Sequence, residues 1–330
     1  IIMYTGLGVA VWALLHGIPD GWAGAKKFLT GPKDLSFFDS GITAGAGFWV
    51  NVKTVLQTDY TIWAALLGAT FITMATHGTD QDMVQRMLTA KDHRKSRLAL
   101  IMSGLADIPI VLGFLFIGVL LWAFYQVHPD PGLPEKKVEI FAYFILHELP
   151  SGIKGLLIAG IFATAMGSLS TALNALATSF TKDWYMSYIN RQADARSLVR
   201  ATRWSTVGFS AALIVIGALT AWAVIKSPDS RIIPIVLGIF GYTYGSLLGV
   251  FMVGMVTKRR GSDLGNIIGM IAGFIFVSIL SDLPNQIAVL CGRSEPLYQI
   301  AWLPTISFPW RIMFGTIVTV AVAISFKTPA

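Results

Sequence analysis

Residues 157–185, LIAGIFATAMGSLSTALNALATSFTKDWY, are apolar enough to enter a bilayer yet carry a dense run of hydroxyls. At about 100° per residue on a helix, Thr164, Gly167, Ser168, Ser170, Thr171, Asn174, Thr178 and Thr181 fall within less than half of the circumference. Ile161, Phe162, Met166, Leu169, Leu173, Leu176 and Phe180 occupy the rest. A helix in lipid has no reason to align its hydroxyls unless that face meets protein, water or a ligand. Two chemistries fit. The hydroxyls can hydrogen-bond neighbouring helices, or oxygens on consecutive turns can replace the water shell of a hard, singly charged cation. The helix alone leaves both open.

Three other stretches put polarity at membrane depth. Asp107, in GLADIP, lies about ten residues from a basic loop, roughly 15 Å into the bilayer. A carboxylate there costs about 2.5–3.5 kcal/mol and is a functional candidate by default; the alternative is a structural Asp paired with a neighbouring hydroxyl or Arg. Pro109 frees a helix carbonyl beside it. Residues 60–88 open as lipid-like TIWAALLGATFI and continue as TMATHGTDQDMVQRML. That change predicts a discontinuous helix, unwound near Thr76–Thr79, with backbone groups facing a cavity. Otherwise the span ends near Thr76 and a solvated half follows. Finally, Gly238, Gly241, Gly245 and Gly249 recur along 232–257, with Tyr242, Thr243 and Tyr244 among them. Small residues at this spacing predict close helix contact; the tyrosines could also line a permeation path.

The elements that must position these residues follow from composition. Hydrophobic residues make up 54% of the 330, charged residues only 13%, and mean hydropathy is +0.65. Soluble domains carry roughly 25% charged residues, so this is an integral membrane protein. Apolar spans fall at roughly 1–16, 60–88, 98–126, 153–182, 203–225, 232–257, 263–282 and 308–327. The spans 203–225, 263–282 and 308–327 carry little polarity and read as scaffold. The loops 86–97, 182–203 and 257–261 hold thirteen Lys/Arg and are assigned to the cytoplasm. The net charge of +7 is thus a topology signal and predicts no nucleic-acid partner. The outer segment 138–149, VEIFAYFILHEL, is too short to span and is expected as a surface helix. The single Cys291 excludes a disulfide within the chain, and the five histidines show no metal-ligand spacing. No Walker, dinucleotide or G-x-S-x-G motif is present. The chain opens mid-helix without an initiator Met and reads as a fragment lacking its N-terminal part.

Two stretches then carry a resemblance. GTDQDMVQRMLTAKD (78–92) is similar to a signature of the solute:sodium symporter family at the cytoplasmic end of its core helix six. ATAMGSLSTALNALATSFTKD (163–183) is similar to core helix eight of that family, with a Pro-bearing helix between the two as expected. The pattern most resembles bacterial sugar and sialic-acid transporters. The resemblance implies an all-α, polytopic membrane bundle: part of a five-plus-five inverted-repeat core with a midplane site, plus peripheral helices. Residues 1–257 would hold core helices five to ten, and 258–330 two peripheral C-terminal helices. The family's aspartate near the start of core helix five would fall before Ile1.

The resemblance also implies site residues. The main sodium site would use the Thr164 carbonyl, Gly167 and Ser168. Gly167 departs from the family's usual Ser and removes one side-chain oxygen. A second sodium would use Ser170 and Thr171. The solute would meet Thr73, Thr76 and His77 on the broken helix, Asp107, and Phe240 and Tyr242 on core helix ten. Thr73 and Thr76 stand where sugar-transporting members carry Asn and Tyr, and Asp107 stands in the region of a solute-binding Lys, so a hexose is doubtful. The expected activity is sodium-coupled symport of a small polar solute, a sugar, sialic acid or related compound, in the cell (inner) membrane. Proton coupling through Asp107, or a non-transporting sensor on the same fold, are the alternatives. No nucleophile or metal constellation argues for an enzyme.

Overall fold

The computed structural model describes residues 2–31, 36, 38–226, 232–290, 297–298 and 305–328; Cys291 lies outside them. Apart from one bridge pair, Arg260 with Lys327, the regular structure among the described residues is helical. In chain order the helices are α1 (Ile2–Gly17), α2 (Gly21–Lys26), α3 (Phe48–Gln57), α4 (Ala69–Gly78), α5 (Gln81–Leu88), α6 (His93–Val127), α7 (Ile140–His147), α8 (Ser151–Ser179), α9 (Ala195–Lys226), α10 (Ile232–Val256), α11 (Asp263–Leu280), α12 (Leu283–Leu290) and α13 (Phe308–Ala323). A wider π-helical turn, Ala64–Gly68, leads into α4, and another, Phe180–Ile189, extends α8.

Among the described residues five helical stretches are long and apolar enough to cross a membrane: His93–Val127, Ser151–Ile189, Ala195–Trp222, Gly238–Val256 and Asp263–Leu280. Two further expected spans are 16-residue helices, α1 and α13. The eighth, 60–88, is broken. Helix starts follow local chemistry. The Asp92 carboxylate accepts the Lys95 N–H at 2.8 Å to cap α6, and the Ser262 hydroxyl accepts the Gly265 N–H at 3.1 Å to cap α11. Pro109 sits inside α6, which continues through it. Within 138–149 the expected helix forms as α7, Ile140–His147.

The chain divides into two compact units. The first comprises Ile1–Leu35 and Gln85–Ser230. Here α1 packs on α6 and α6 on α7, with Ala10, Leu14, Leu120, Phe124 and Phe144 buried in one cluster. The Leu157 side chain of α8 occupies the space that a Cβ on Gly6 would need. In a bilayer such contacts stabilise by van der Waals packing rather than by release of water.

The second unit comprises Ser36–Val84 and Arg231–Ala330. Its centre is α10 against α13, with α11 beside both. The glycine spacing on α10 does what it predicted. A Cβ on Gly245 would sit 2.7 Å from the Ile312 carbonyl oxygen, and one on Gly249 2.6 Å from Thr319 Cβ. The Thr316 hydroxyl reaches the Gly245 carbonyl at 3.1 Å, and Ser246 donates to the Met270 carbonyl at 3.0 Å. Ala75 of α4 joins this centre beside Leu248 and Ile312. At the other end, Trp310 Nε1 donates to the Val55 carbonyl at 3.2 Å.

The break in 60–88 lies later than the polarity suggests. The helix runs through Thr76, His77 and Gly78, opens only at Thr79–Asp80, and restarts at Gln81. The polar side chains are satisfied inside the helix. Thr76 Oγ1 donates to the Ile72 carbonyl at 3.0 Å and Thr79 Oγ1 to the Ala75 carbonyl at 2.7 Å. A run of such residues therefore does not by itself unwind the backbone.

Candidate functional site

In the first unit the candidate ion residues lie on one exposed stretch of α8. Thr164, Gly167, Ser168 and Ser170 are all exposed, and Thr171 is half-buried. Residues four apart share a face, which sets the Thr164 carbonyl beside Ser168 and the Gly167 backbone beside Thr171. Nothing lies within 4 Å of the position a Cβ would take at Gly167. Thr164 Oγ1 donates to the Gly160 carbonyl at 2.9 Å. Thr171 Oγ1 donates to the Ser168 carbonyl at 2.9 Å and accepts from Arg86 Nη2 at 3.0 Å. A guanidinium thus already shares this second candidate oxygen. Further along the stripe, Thr181 is buried and its hydroxyl meets that of Thr202 on α9 at 3.1 Å. The stripe divides: its end at Thr181 is a packing contact, while 164–170 stays open. Asp107 is exposed on α6.

In the second unit, Thr73, Thr76 and His77 form a small cluster on α4. The His77 Nδ1 lies 3.0 Å from Thr76 Oγ1 and 3.2 Å from the Thr73 carbonyl; one tautomer accepts from Thr76, the other donates to Thr73. Phe240 of α10 stacks on Tyr244, with ring centroids 5.2 Å apart and planes 14° apart. Tyr244 in turn donates to Asp80 Oδ2 at 2.7 Å, while Asp80 Oδ1 accepts the Asp82 N–H at 3.0 Å. One carboxylate therefore caps the restarted helix and ties the break to α10. Tyr242 is 8% exposed and carries Arg311 over its ring, the guanidinium carbon 5.2 Å from the centroid and Nη1 3.2 Å from the hydroxyl. So the aromatic residues of α10 meet different partners: Phe240 stacks on Tyr244 near the break, while Tyr242 meets Arg311 and the ring of Phe274.

Residues 41–273 match the model of the sodium:solute symporter family. The chain belongs to that family. It is 28% identical over 230 residues to the sodium/sialic acid symporter NanT of Aliivibrio fischeri, across 68% of this chain and 44% of that protein. It is also 28% identical over 259 residues to the sodium-coupled monocarboxylate transporter 1 of Homo sapiens, across 76% of this chain and 40% of that protein. The chain thus spans less than half the length of the curated relatives it matches. A solved Na+-coupled sialic acid symporter, in a substrate-bound outward-open state, superposes with a TM-score of 0.69 at 21% identity, across 98% of this chain and 59% of that one. That likeness shows the fold: this symporter-family member is an all-α, multi-pass membrane protein. Its family and relatives are transporters, not enzymes.

Sequence reasoning missed three side chains that the fold brings to candidate residues. In the sequence Asp80 is one member of a polar run, Arg86 one member of a basic loop, and Arg311 stands in a span of little polarity. The available signal for Arg311 was its charge at the start of an apolar helix.

Proposed function

We propose that the protein carries out sodium-coupled symport of a small polar solute across the cell membrane by alternating access. The observation that carries this reading is the open hydroxyl stretch 164–170 on α8, in a chain of the sodium:solute symporter family. Carbonyl and hydroxyl oxygens are hard ligands suited to an alkali cation. Gly167 contributes no side-chain oxygen, so the main ion site rests on the Thr164 carbonyl and Ser168, with further ligands from other elements. Ser170 and Thr171 are the second set. A sodium ion there must share Thr171 with the Arg86 guanidinium, which weakens that position relative to the first.

In the second unit the solute is proposed to meet Thr73, Thr76 and His77 beside the broken helix and Phe240 and Tyr242 on α10; Asp107, in the first unit, is proposed as a separate candidate contact. Sialic acid and monocarboxylates, named for two relatives, head the candidates. Coupling requires that ion and solute prefer the same conformations, a difference in affinity between states rather than a push. One charge moving inward down a 100 mV potential adds about 2.3 kcal/mol of driving force.

The test is uptake by the full-length gene product in proteoliposomes. Labelled sialic acid, lactate, hexoses and inositol are offered with and without an inward sodium gradient. Sodium-dependent uptake that weakens in Ser168→Ala supports the reading. Uptake driven only by a pH gradient would move coupling away from α8, and saturable binding without flux would make the protein a sensor.

A further inference from the structure

Three arginines form one stripe at the start of α9. Arg196, Arg200 and Arg203 are spaced so that they share one face of the helix, within about 60°. All three are exposed, and none forms a salt bridge with a carboxylate among the described residues. The other side of the helix is taken up by packing. Thr202 meets the Thr181 hydroxyl at 3.1 Å and Ser197 meets the Tyr185 hydroxyl at 3.0 Å, both on the extended end of α8. These bonds set the rotation of α9 and turn the arginines outward. Asp194, the acid nearest in sequence, caps the helix: its Oδ1 accepts the Ser197 N–H at 3.1 Å.

The stripe lines an open groove of about 700 Å³, with Val199, Trp204 and Val207 beside it. Arg196 and Arg200 also border a second groove of about 630 Å³ on the side of the α8 extension, where Asp194 is the one acid in the lining. Depth follows from the span. The arginines occupy the first turns of the membrane-crossing stretch Ala195–Trp222. Trp204 comes directly after them and is 70% exposed, and Trp184 and Tyr188 are exposed on the adjoining end of α8. Exposed Trp and Tyr at the end of a span mark the boundary between membrane and water. Beyond that boundary the exposed side chains of α9 are apolar, Val207, Ile214 and Val215 among them. The groove therefore has a cationic mouth at headgroup level and an apolar continuation into the hydrocarbon.

Like charges on successive turns of a helix repel one another, and an anion between them removes the penalty. A guanidinium fork suits phosphate oxygens, and basic clusters beside a membrane span attract anionic headgroups. A soluble anion would account for the arginines but not for the apolar surface that continues from them. A phospholipid accounts for both.

We propose that this groove is a binding site for an anionic phospholipid. Arg196, Arg200 and Arg203 take the headgroup phosphate, Trp204 lies at the boundary, and an acyl chain runs over Val207. The bias of Lys and Arg toward this loop puts the site in the cytoplasmic leaflet. The inference stands apart from the transport reading and holds whichever solute is carried.

The experiment titrates the purified full-length protein in detergent with phosphatidylglycerol and with phosphatidylcholine of matched chains, and counts bound lipid by native mass spectrometry. The unaltered protein should retain phosphatidylglycerol in preference. Each single Arg→Gln change at 196, 200 or 203 should weaken that binding about fivefold, and the triple change should abolish the preference. Replacing all three by Lys keeps the charge but loses the fork, and a reduced preference should survive. If the triple Gln protein does not fold, the single and Lys variants decide. Arg94→Gln with Lys95→Gln removes two charges from another basic loop and should leave the preference intact. An equal loss there would mean diffuse attraction and overturn the site. So would a triple variant that still prefers phosphatidylglycerol, or an unaltered protein that does not. sn-Glycerol 3-phosphate presents the phosphate without its chains. If it displaces the lipid at equal concentration, the groove is a soluble-anion site and the lipid assignment falls.

Discussion

The Tyr244 hydroxyl donates a 2.7 Å hydrogen bond to Asp80 across 164 residues of sequence, joining the middle of α10 to the break between α4 and α5. The same carboxylate caps α5 through the Asp82 N–H. Tyr244→Phe removes one of these bonds and leaves a partly buried carboxylate short of a donor. A loss of about 1–3 kcal/mol in unfolding free energy is expected. Combining it with Asp80→Asn in a double-mutant cycle should give a coupling of about 0.5–3 kcal/mol. Strictly additive denaturation midpoints would mean the bond contributes nothing in the membrane.

Glycines on the two helices differ in what a side chain would meet. Gly245→Ala forces a methyl toward the Ile312 carbonyl at 2.7 Å and the Gly315 Cα at 3.0 Å, and should cost about 1–3 kcal/mol. Gly167→Ser meets nothing within 4 Å. It should leave the thermal midpoint unchanged and, on the proposed ion site, lower the sodium concentration for half-maximal uptake. A sodium titration unaffected by the added hydroxyl would remove Gly167 from that site.

The hydroxyl stripe of α8 gives a paired prediction. Thr181→Val breaks the contact with Thr202 and should lower stability by about 0.6 kcal/mol without altering sodium dependence. Ser168→Ala alters an exposed hydroxyl and should raise the sodium requirement several-fold with no change in stability. Thermal shift and sodium-dependent uptake on both variants separate the two; the reverse pattern would exchange the roles of the two ends of the stripe.

The segment between α6 and α7 offers a pH test. Tyr143 donates to Asp130 Oδ2 at 2.7 Å, and the Gly132 N–H donates to Oδ1 at 2.8 Å. These bonds, the tyrosine first, hold the Asp130 carboxyl below its ordinary range, while the same contact with Asp130 raises the Tyr143 phenol. A depressed carboxylate contributes stability above its unfolded pKa and loses it as pH falls through the folded one. The gap in thermal midpoint between the unaltered protein and Tyr143→Phe should therefore be constant near neutrality and shrink below the ordinary aspartate range. A gap independent of pH in acid would show that the bond is not to an ionised carboxylate.

Five of the expected spans were legible in the sequence because each is a run of apolar residues long enough to cross a bilayer, and the glycine spacing on α10 correctly announced a close helix contact. Position 76 misled for a physical reason: Thr76, His77 and Thr79 can bond their own helix, so their polarity began before the backbone opened. The partners of Asp80 and Arg311 were illegible in a different way. Tyr244 and Tyr242 stand far off in the chain, and only folding shows which face of α10 each one occupies. The two chemistries open for the α8 hydroxyls could not be separated by pattern either, since both use the same residues; burial of Thr181 shows packing at one end of the stripe.

The seam between α10 and α13 has a mechanical consequence. At Gly245 the backbone of α13 lies directly against α10, and at Gly249 only the short, branched Thr319 side chain intervenes, so there are few rotamers through which one helix could slide past the other. An interface cushioned by long side chains behaves like a soft bearing; this one behaves like a weld. Whatever stroke α10 makes, α13 must make with it, and the far end of α13 becomes a needle on which movement of the buried helix can be read.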